Sequence, residues 1–361
     1  MTSTTTASAS PDHRFSVVRL DLPLDAAIFD GIVSADPQMA LSVQKVQGNE
    51  PALAQALATA NAYHITSARD DLAPQWFANA KLLQACPRLL VVSTFGAGYD
   101  TVDADACTQA GVCVVNQSGS NARAVAEHAL AMTLGLAKRI SESDRRLRRG
   151  DRFTRVDAMG FELDGLTLGL VGIGHTGGHM ARLGHAMGMR VLAHDPLLST
   201  QQITDRGGES VSLADLLARS DVVSVHCPRD KSTLGMFNPQ AFAAMKNGAL
   251  FVSTARGGIH DEQALYEALV SGHLRGAGLD VWAIEPPDKQ HPLLGLDNVI
   301  GTYHTAGVSP GARRQMATMA ATQLVQMAKG ARPERLINPE VWPAYVRRFK
   351  QILGREPLSQ N

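Results

Sequence analysis

The sequence predicts an α/β protein built from two doubly wound parallel-sheet domains. Three observations predict this. A first series of short apolar strands alternates with helical stretches, the rhythm breaks near Asn116, and a second α/β series opens on a glycine-rich strand-to-helix turn. Strand–helix alternation places helices on both faces of a parallel sheet. At 361 residues, the chain is about two domains long and apolar enough for two cores.

Taken in order, MTSTTTASASPDH (residues 1–13) has the Ser/Thr/Ala bias of a disordered tail and lacks the basic start and apolar stretch of a signal peptide. FSVVRLD, LSVQKV, NAYHIT, LLVVST and VCVVN are short, β-branched and bounded by turn residues, so they read as strands. PALAQALATA and APQWFANAKLLQA have helical spacing. QSGSNARAVAEHALAMTLGLAKRISESDRRLRRG reads as one long helix, capped by Ser and Asn, that bridges the domains. TLGLVG, RVLAHD, VVSVHC, ALFVSTA, GAGLDV and NVIGTYH form the second strand series. ARRQMATMAATQLVQMAKG is a further amphipathic helix, and residues 336–361 read as a trailing segment.

Composition excludes several partners. Thirty-four basic and 34 acidic side chains cancel, which argues against nucleic acid or a charged membrane surface. The RRLRRG run (residues 145–150) reads as a solvated helix end. No apolar run approaches the ~20 residues of a membrane span. The four cysteines show no CxxC pair, which predicts a reducing interior, the cytoplasm. No metal site is expected, because no His/Cys/carboxylate cluster has ligand spacing.

The strand TLGLVG runs into Gly172, Ile173, Gly174, His175, Thr176 and Gly177, then a helix, then a strand ending in Asp195. A bare GxGxxG is weak, but strand, turn, helix and a distal acid together form the dinucleotide fingerprint. Gly172 permits the tight turn, Gly174 lets backbone approach a pyrophosphate, and Gly177 lets the helix lie close. The helix N-terminus offers free N–H groups to phosphate. Asp195 accepts hydrogen bonds from ribose hydroxyls and repels a 2′-phosphate, which favours NAD. Because this fingerprint lies mid-chain, the first domain is left to hold a substrate.

Three later segments complete a site. Arg256 follows ALFV among small residues, with room to clamp a carboxylate. Glu285 follows GAGLDV, and His304 follows NVIGTY. A lone histidine is more often structural, but an Arg, a Glu and a His after successive strands make a set suited to reducing a 2-keto acid. Histidine donates the proton, a carboxylate fixes its tautomer, and a cation polarises the carbonyl. His304 is therefore expected as acid/base, Glu285 as its partner and Arg256 as orienter. His13, His185, His260, His273 and His291 read as exposed, His64 as a strand-end residue without partners, and His128 as structural. His226 ends a strand beside the expected cofactor.

In these residues the chain resembles the D-isomer-specific 2-hydroxyacid dehydrogenase family. The resemblance covers roughly residues 89–321 through STFGAGYDTVD, AVAEHAL, LGLVGIGHTG, HDP, VSVHCP, STARGG, GAGLDVWAIEPP, HPLL and HTAG, in one order. It implies a flavodoxin-like substrate domain (14–117 plus 308–335), a Rossmann NAD-binding domain (118–307), an active site in the cleft between them, and a homodimer joined through the NAD-binding domains. It also implies that the backbone amides around Gly96, Ala97 and Gly98 hold the substrate carboxylate. His175 and Thr176 match pyrophosphate contacts. His226, Pro228, Thr233, Thr254, Ala255, Arg256, Asp280, His304 and Gly307 match the remaining cofactor-contacting positions, with Asp280 facing the nicotinamide carboxamide. Two positions depart from the family pattern: Tyr303 stands where proline usually precedes the histidine, and Thr176 where a branched aliphatic is usual.

The expected activity is NAD-dependent interconversion of a small D-2-hydroxy acid and its 2-keto acid, phosphoglycerate dehydrogenase-like. Two alternatives stay open: a glyoxylate or hydroxypyruvate reductase that accepts NADPH, and a dinucleotide-sensing scaffold like the family's corepressors. Arg69 is either an exposed loop residue or a contact to a phosphate or second carboxylate.

Overall fold

A computed structural model describes residues 14–22 and 25–358; the expected disordered tail lies outside them. The chain divides into two compact units, residues 1–120 with 310–361 and residues 121–309.

In the first unit five strands, β1 (Phe15–Leu20), β2 (Met39–Gln44), β3 (Ala62–Ile65), β4 (Val91–Thr94) and β5 (Cys113–Val115), form a parallel sheet in the order β2-β1-β3-β4-β5. This is the flavodoxin-like order, in which ligands bind beyond the carboxyl ends of the strands. On one face Phe15, Val17, Val91 and Cys113 pack with Phe29, Val33, Ala317, Leu324, Tyr345 and Phe349; on the other, Val18, Tyr63, Val92 and Val114 pack with Leu53, Leu57 and Leu83. The alternation along each strand is what a sheet covered on both faces requires.

Two expectations for this unit are corrected. Residues 336–358 do not trail: Trp342–Leu353 is a helix whose Tyr345, Phe349 and Leu353 recur every fourth residue and are buried, with Tyr345 Oη donating to Met327 O at 2.9 Å. Each such side chain, fully buried, contributes about 1.5–3 kcal/mol, so the segment is part of the core. APQWFANAKLLQA is not one helix either. It forms a turn at Pro74–Trp76 and the short helix Ala80–Ala85, separated by extended Phe77 and capped by Asn79, whose side chain accepts from Leu82 N.

In the second unit seven strands follow: β6 (Thr167–Val171), β7 (Arg190–His194), β8 (Glu209–Ser210), β9 (Val222–Val225), β10 (Ala249–Ser253), β11 (Leu274–Leu279) and β12 (Val299–Gly301). They form a parallel sheet in the order β12-β11-β10-β9-β6-β7-β8. Read from β6, this is the doubly wound Rossmann order with one added edge strand. The order reverses between β6 and β9, so the crevice lies above those two strands. The two-residue β8 is too short to be seen as a strand in the sequence.

The expected single long helix is two, Ala122–Ala137 and Ile140–Arg149, both within this unit. Arg139 takes the left-handed conformation (φ 51°), held by its guanidinium on Glu142 and Asp157 O. The returning chain ends the first helix, as Phe161 N donates to Ala137 O at 2.9 Å. The basic run closes the second helix but is only partly solvated. Arg145 donates to Asp297 O and Val299 O, Arg146 lies over Phe153, and Arg149 pairs with Asp151 and Asp297.

Candidate active site

The nucleotide end is built by β6 and the helix His175–Ala186 that follows it. Gly172 has φ +89°, and a Cβ there would come within 2.8 Å of Cys227 N; only glycine allows β6 to turn beneath β9. A Cβ on Gly177 would lie 2.1 Å from Gly172 O, so its absence lets the helix start directly over the turn. A Cβ on Gly174 would meet nothing within 4 Å. Its glycine therefore answers to no protein neighbour, and the space beside it lies at a helix N-terminus suited to phosphate. His175 is exposed and Thr176 half-buried at the same end.

Asp195, half-buried just past β7, accepts Ile173 N (3.0 Å) and Leu197 N (3.1 Å), one on each carboxylate oxygen. Each oxygen keeps a lone pair for a ribose hydroxyl. Beyond β9, His226 bonds Ser224 Oγ through Nε2 (2.9 Å), while its buried Nδ1 has no partner. Burial pushes this imidazole down to about 4, so it is neutral. Thr233 Oγ1 donates to Pro228 O at 2.7 Å and closes the following turn. Thr254, buried after β10 beside buried Ala255, leaves Oγ1 without a partner. Orphaned buried polar atoms, an open space at Gly174 and a poised carboxylate fit a dinucleotide along this edge.

The reacting end is built by the loops after β10, β11 and β12. Glu285 Oε2 lies 2.8 Å from His304 Nδ1, and its Oε1 accepts Trp282 N at 3.0 Å. The two expected partners are thus brought together. Arg256 is half-buried, with Nη1 donating to Ala255 O. The neighbouring Gly257 abuts the Glu285 loop so closely that a Cβ would meet Trp282 O at 1.7 Å. Tyr303 is exposed next to His304, and Gly307 lies against the Asn121 amide.

Asp280 also organises the loop that carries His304. Its fully buried carboxylate accepts Thr302 Oγ1 (2.6 Å), Thr305 N (2.8 Å) and Ala306 N (2.9 Å), and its carbonyl accepts His304 N (2.7 Å). It holds the histidine loop, Oδ1 taking two donors and Oδ2 only Ala306 N, so Oδ2 keeps a lone pair. Sequence reasoning missed Thr302 as part of this arrangement; an Asp and a Thr about 20 residues apart carry no local signal.

In the first unit, Gly96, Ala97 and Gly98 follow β4. Gly96 O accepts Thr94 Oγ1 and Gln117 N, and Ala97 O accepts Asn116 Nδ2 at 2.6 Å. The carbonyls of Gly96 and Ala97 are tied back to the protein, whereas the three amide N–H groups have no protein acceptor among the described residues, a nest-like arrangement for an anion. Arg69 is exposed, with Nε donating to Asp100 O at 2.9 Å.

Several histidines differ from expectation. His260 is buried with neither ring nitrogen bonded, and burial pushes it down to about 4. His64 is not partnerless: it bonds Ser93 Oγ at 3.1 Å and stacks on Phe29, and burial pushes it down to about 3. His273 and His291 are half-buried on Phe242 O and Glu262, and His185 is exposed. His128 Nε2 lies 3.1 Å from Thr302 Oγ1. His13 lies outside the described residues. Among the described residues no cluster of three or more His, Cys, Asp or Glu is arranged to hold a metal.

The fold and these loops define a dinucleotide-binding α/β protein with an imidazole–carboxylate pair at the carboxyl edge of its sheet. Residues 130–306 match the family model for the D-isomer specific 2-hydroxyacid dehydrogenase, NAD binding domain. The chain is 40% identical over 267 residues to a D-3-phosphoglycerate dehydrogenase of Archaeoglobus fulgidus, covering 74% of this chain but only 50% of that relative. It is 36% identical to a glyoxylate reductase of Korarchaeum cryptofilum, covering 73% of this chain and 80% of the relative. The structure of D-lactate dehydrogenase from Aquifex aeolicus, complexed with NAD and lactic acid, superposes with a TM-score of 0.76 at 27% identity, covering 89% of this chain and 99% of that one. The chain belongs to the D-isomer-specific 2-hydroxyacid dehydrogenase family. It spans about half the length of the phosphoglycerate dehydrogenase it matches.

Proposed function

We propose that the protein interconverts a small D-2-hydroxy acid and its 2-keto acid with NAD. The observation that carries this reading is the 2.8 Å His304–Glu285 pair, set in the same domain as the dinucleotide cradle. When bound, the nicotinamide supplies the hydride for reduction of the keto carbon. His304 donates a proton from Nε2 to the carbonyl oxygen, while Glu285 keeps Nδ1 protonated and stabilises the imidazolium. Arg256 aligns the substrate carboxylate and polarises the carbonyl, and the amides of Gly96, Ala97 and Gly98 bind that carboxylate. In oxidation His304 takes the proton back. Asp195 favours NAD over its 2′-phosphorylated form by charge repulsion.

The same reading includes a homodimer through the NAD-binding domain, supported by the exposed apolar side chains Ile140, Leu147, Val156 and Met159 in that unit. It also includes a cytoplasmic location, supported by four free cysteines; no helix of the described residues is long and apolar enough to cross a membrane. The test is to incubate the purified protein with NADH and a panel containing glyoxylate, pyruvate, hydroxypyruvate and 3-phosphohydroxypyruvate. NADH loss with at least one acid, yielding the D product from a prochiral member, is expected. No turnover with any of them favours the scaffold alternative.

A further inference from the structure

His304 is one of two non-glycine residues with positive φ (46°) among the described residues, a backbone state disfavoured for a residue with a Cβ. Something must hold it there. Its own amide donates to Asp280 O at 2.7 Å. On either side, Thr302 Oγ1, Thr305 N and Ala306 N all converge on the Asp280 carboxylate. The loop is therefore pinned on both flanks of the histidine to one buried charge.

The upstream flank depends on a proton assignment that the distances settle. A hydroxyl has one proton, and at 2.6 Å from a carboxylate oxygen Thr302 Oγ1 must donate it to Asp280. His128 Nε2, 3.1 Å from Thr302 Oγ1, must then be an N–H that donates to it. His128 stands on the helix Ala122–Ala137, which packs against the strands carrying both loops. The resulting chain runs His128 Nε2–H, Thr302 Oγ1–H, Asp280 carboxylate, and none of its members is needed for the chemistry of a keto acid.

We propose that Thr302, oriented by His128, is a positioning residue for His304: it locks the upstream side of the left-handed turn and so fixes where the imidazole aims its proton. This rests on the functional reading above. Without the Thr302 hydroxyl, the Asp280 carboxylate keeps only its two downstream donors. The backbone bonds Thr302 N to Leu279 O and His304 N to Asp280 O, and Trp282 Nε1 to Thr302 O, remain, so the turn persists but the imidazole loses its tether to the carboxylate on the upstream side. Small misplacements of a reacting group cost up to about 100-fold in rate.

The test uses the full chain with its best 2-keto acid and NADH. Thr302→Val, isosteric but without the hydroxyl, is expected to lower kcat by about 10- to 100-fold while NADH affinity, read by nucleotide fluorescence, stays unchanged. The solvent deuterium isotope effect on kcat rises, because proton transfer becomes the slow step. Thr302→Ser restores the rate. His128→Leu repeats the defect more mildly, and His128→Gln, whose Nε2–H reaches the same point, restores it. Should Thr302→Val fail to fold, the His128 pair decides. Full activity in both Thr302→Val and His128→Leu, no rescue by the hydroxyl- and N–H-preserving variants, or a parallel loss of NADH affinity overturns the proposal. If turnover in the wild type proves independent of His304, the functional reading falls, and this proposal falls with it. Loss of turnover in a His304 variant with a fully active Thr302→Val sinks the positioning role alone.

Discussion

Glu285→Gln tests the imidazole–carboxylate pair with the least change of shape. In the wild type both carboxylate oxygens act as acceptors, Oε1 for Trp282 N at 3.0 Å and Oε2 for His304 Nδ1 at 2.8 Å. Glutamine offers one acceptor and one NH2 group, so it cannot serve both. If its oxygen stays with Trp282, the NH2 group faces Nδ1 and demands a lone pair there. The neutral ring then carries its proton on Nε2, and the imidazolium needed for keto-acid reduction loses its counter-charge. General acid catalysis is worth about 10²–10⁴. A loss of about 100-fold in kcat/KM corresponds to roughly 2.7 kcal/mol of transition-state stabilisation. The assay is initial-rate NADH oxidation across substrate concentrations, with NADH affinity measured separately by fluorescence. A rate within threefold of wild type, with binding intact, would refute the tautomer argument.

Three further outcomes follow from the structure. Gly174→Ala places a methyl in space that no protein atom within 4 Å occupies; NADH affinity is expected to fall at least about tenfold with far less effect on the thermal midpoint, whereas unchanged affinity would remove the pyrophosphate from this turn. Asp195→Ala removes an acceptor for the ribose hydroxyls, and since a hydrogen bond to a charged group is worth about 1.5–3 kcal/mol, the KM for NADH rises about 10- to 100-fold while the gap to NADPH narrows; equal KM values for both cofactors in the wild type would contradict the assignment. His260→Phe concerns acid stability: burial holds the histidine down at about 4, so the unfolded chain binds its proton near pH 6.5 and the folded one does not. Stability from this group is thus full above about pH 6.5 and is lost as pH falls toward 4, and the stabilising effect of phenylalanine in thermal melts should grow by about 2 kcal/mol between pH 7 and 5. A pH-independent difference would show that His260 is solvated.

Much of this was legible in the sequence because it is local. The glycine turn, the distal Asp195 and the strand ends bearing Arg256, Glu285 and His304 follow from spacing alone, since a parallel sheet carries the ends of its strands to one edge. Elements decided by tertiary contact were not legible. The break at Arg139 depends on a chain that returns only at Phe161, and the helix Trp342–Leu353 owes its place to aromatic residues filling a core formed more than 200 residues earlier. The same holds within the site: that Asp280 gathers Thr302, Thr305 and Ala306, more than 20 residues on, carries no signal in the sequence. The buried Thr254 hydroxyl and His226 Nδ1 are left without hydrogen-bond partners, and neither is visible until burial is known.

In the proposed reaction His304 moves the proton while NADH delivers hydride. The decisive measurement follows NADH absorbance in a single turnover with the best 2-keto acid, comparing wild type with His304→Gln at matched NADH occupancy. Rapid loss of NADH is expected in the wild type, and a rate at least about 100-fold slower in the variant. A variant that turns over within threefold of wild type contradicts it.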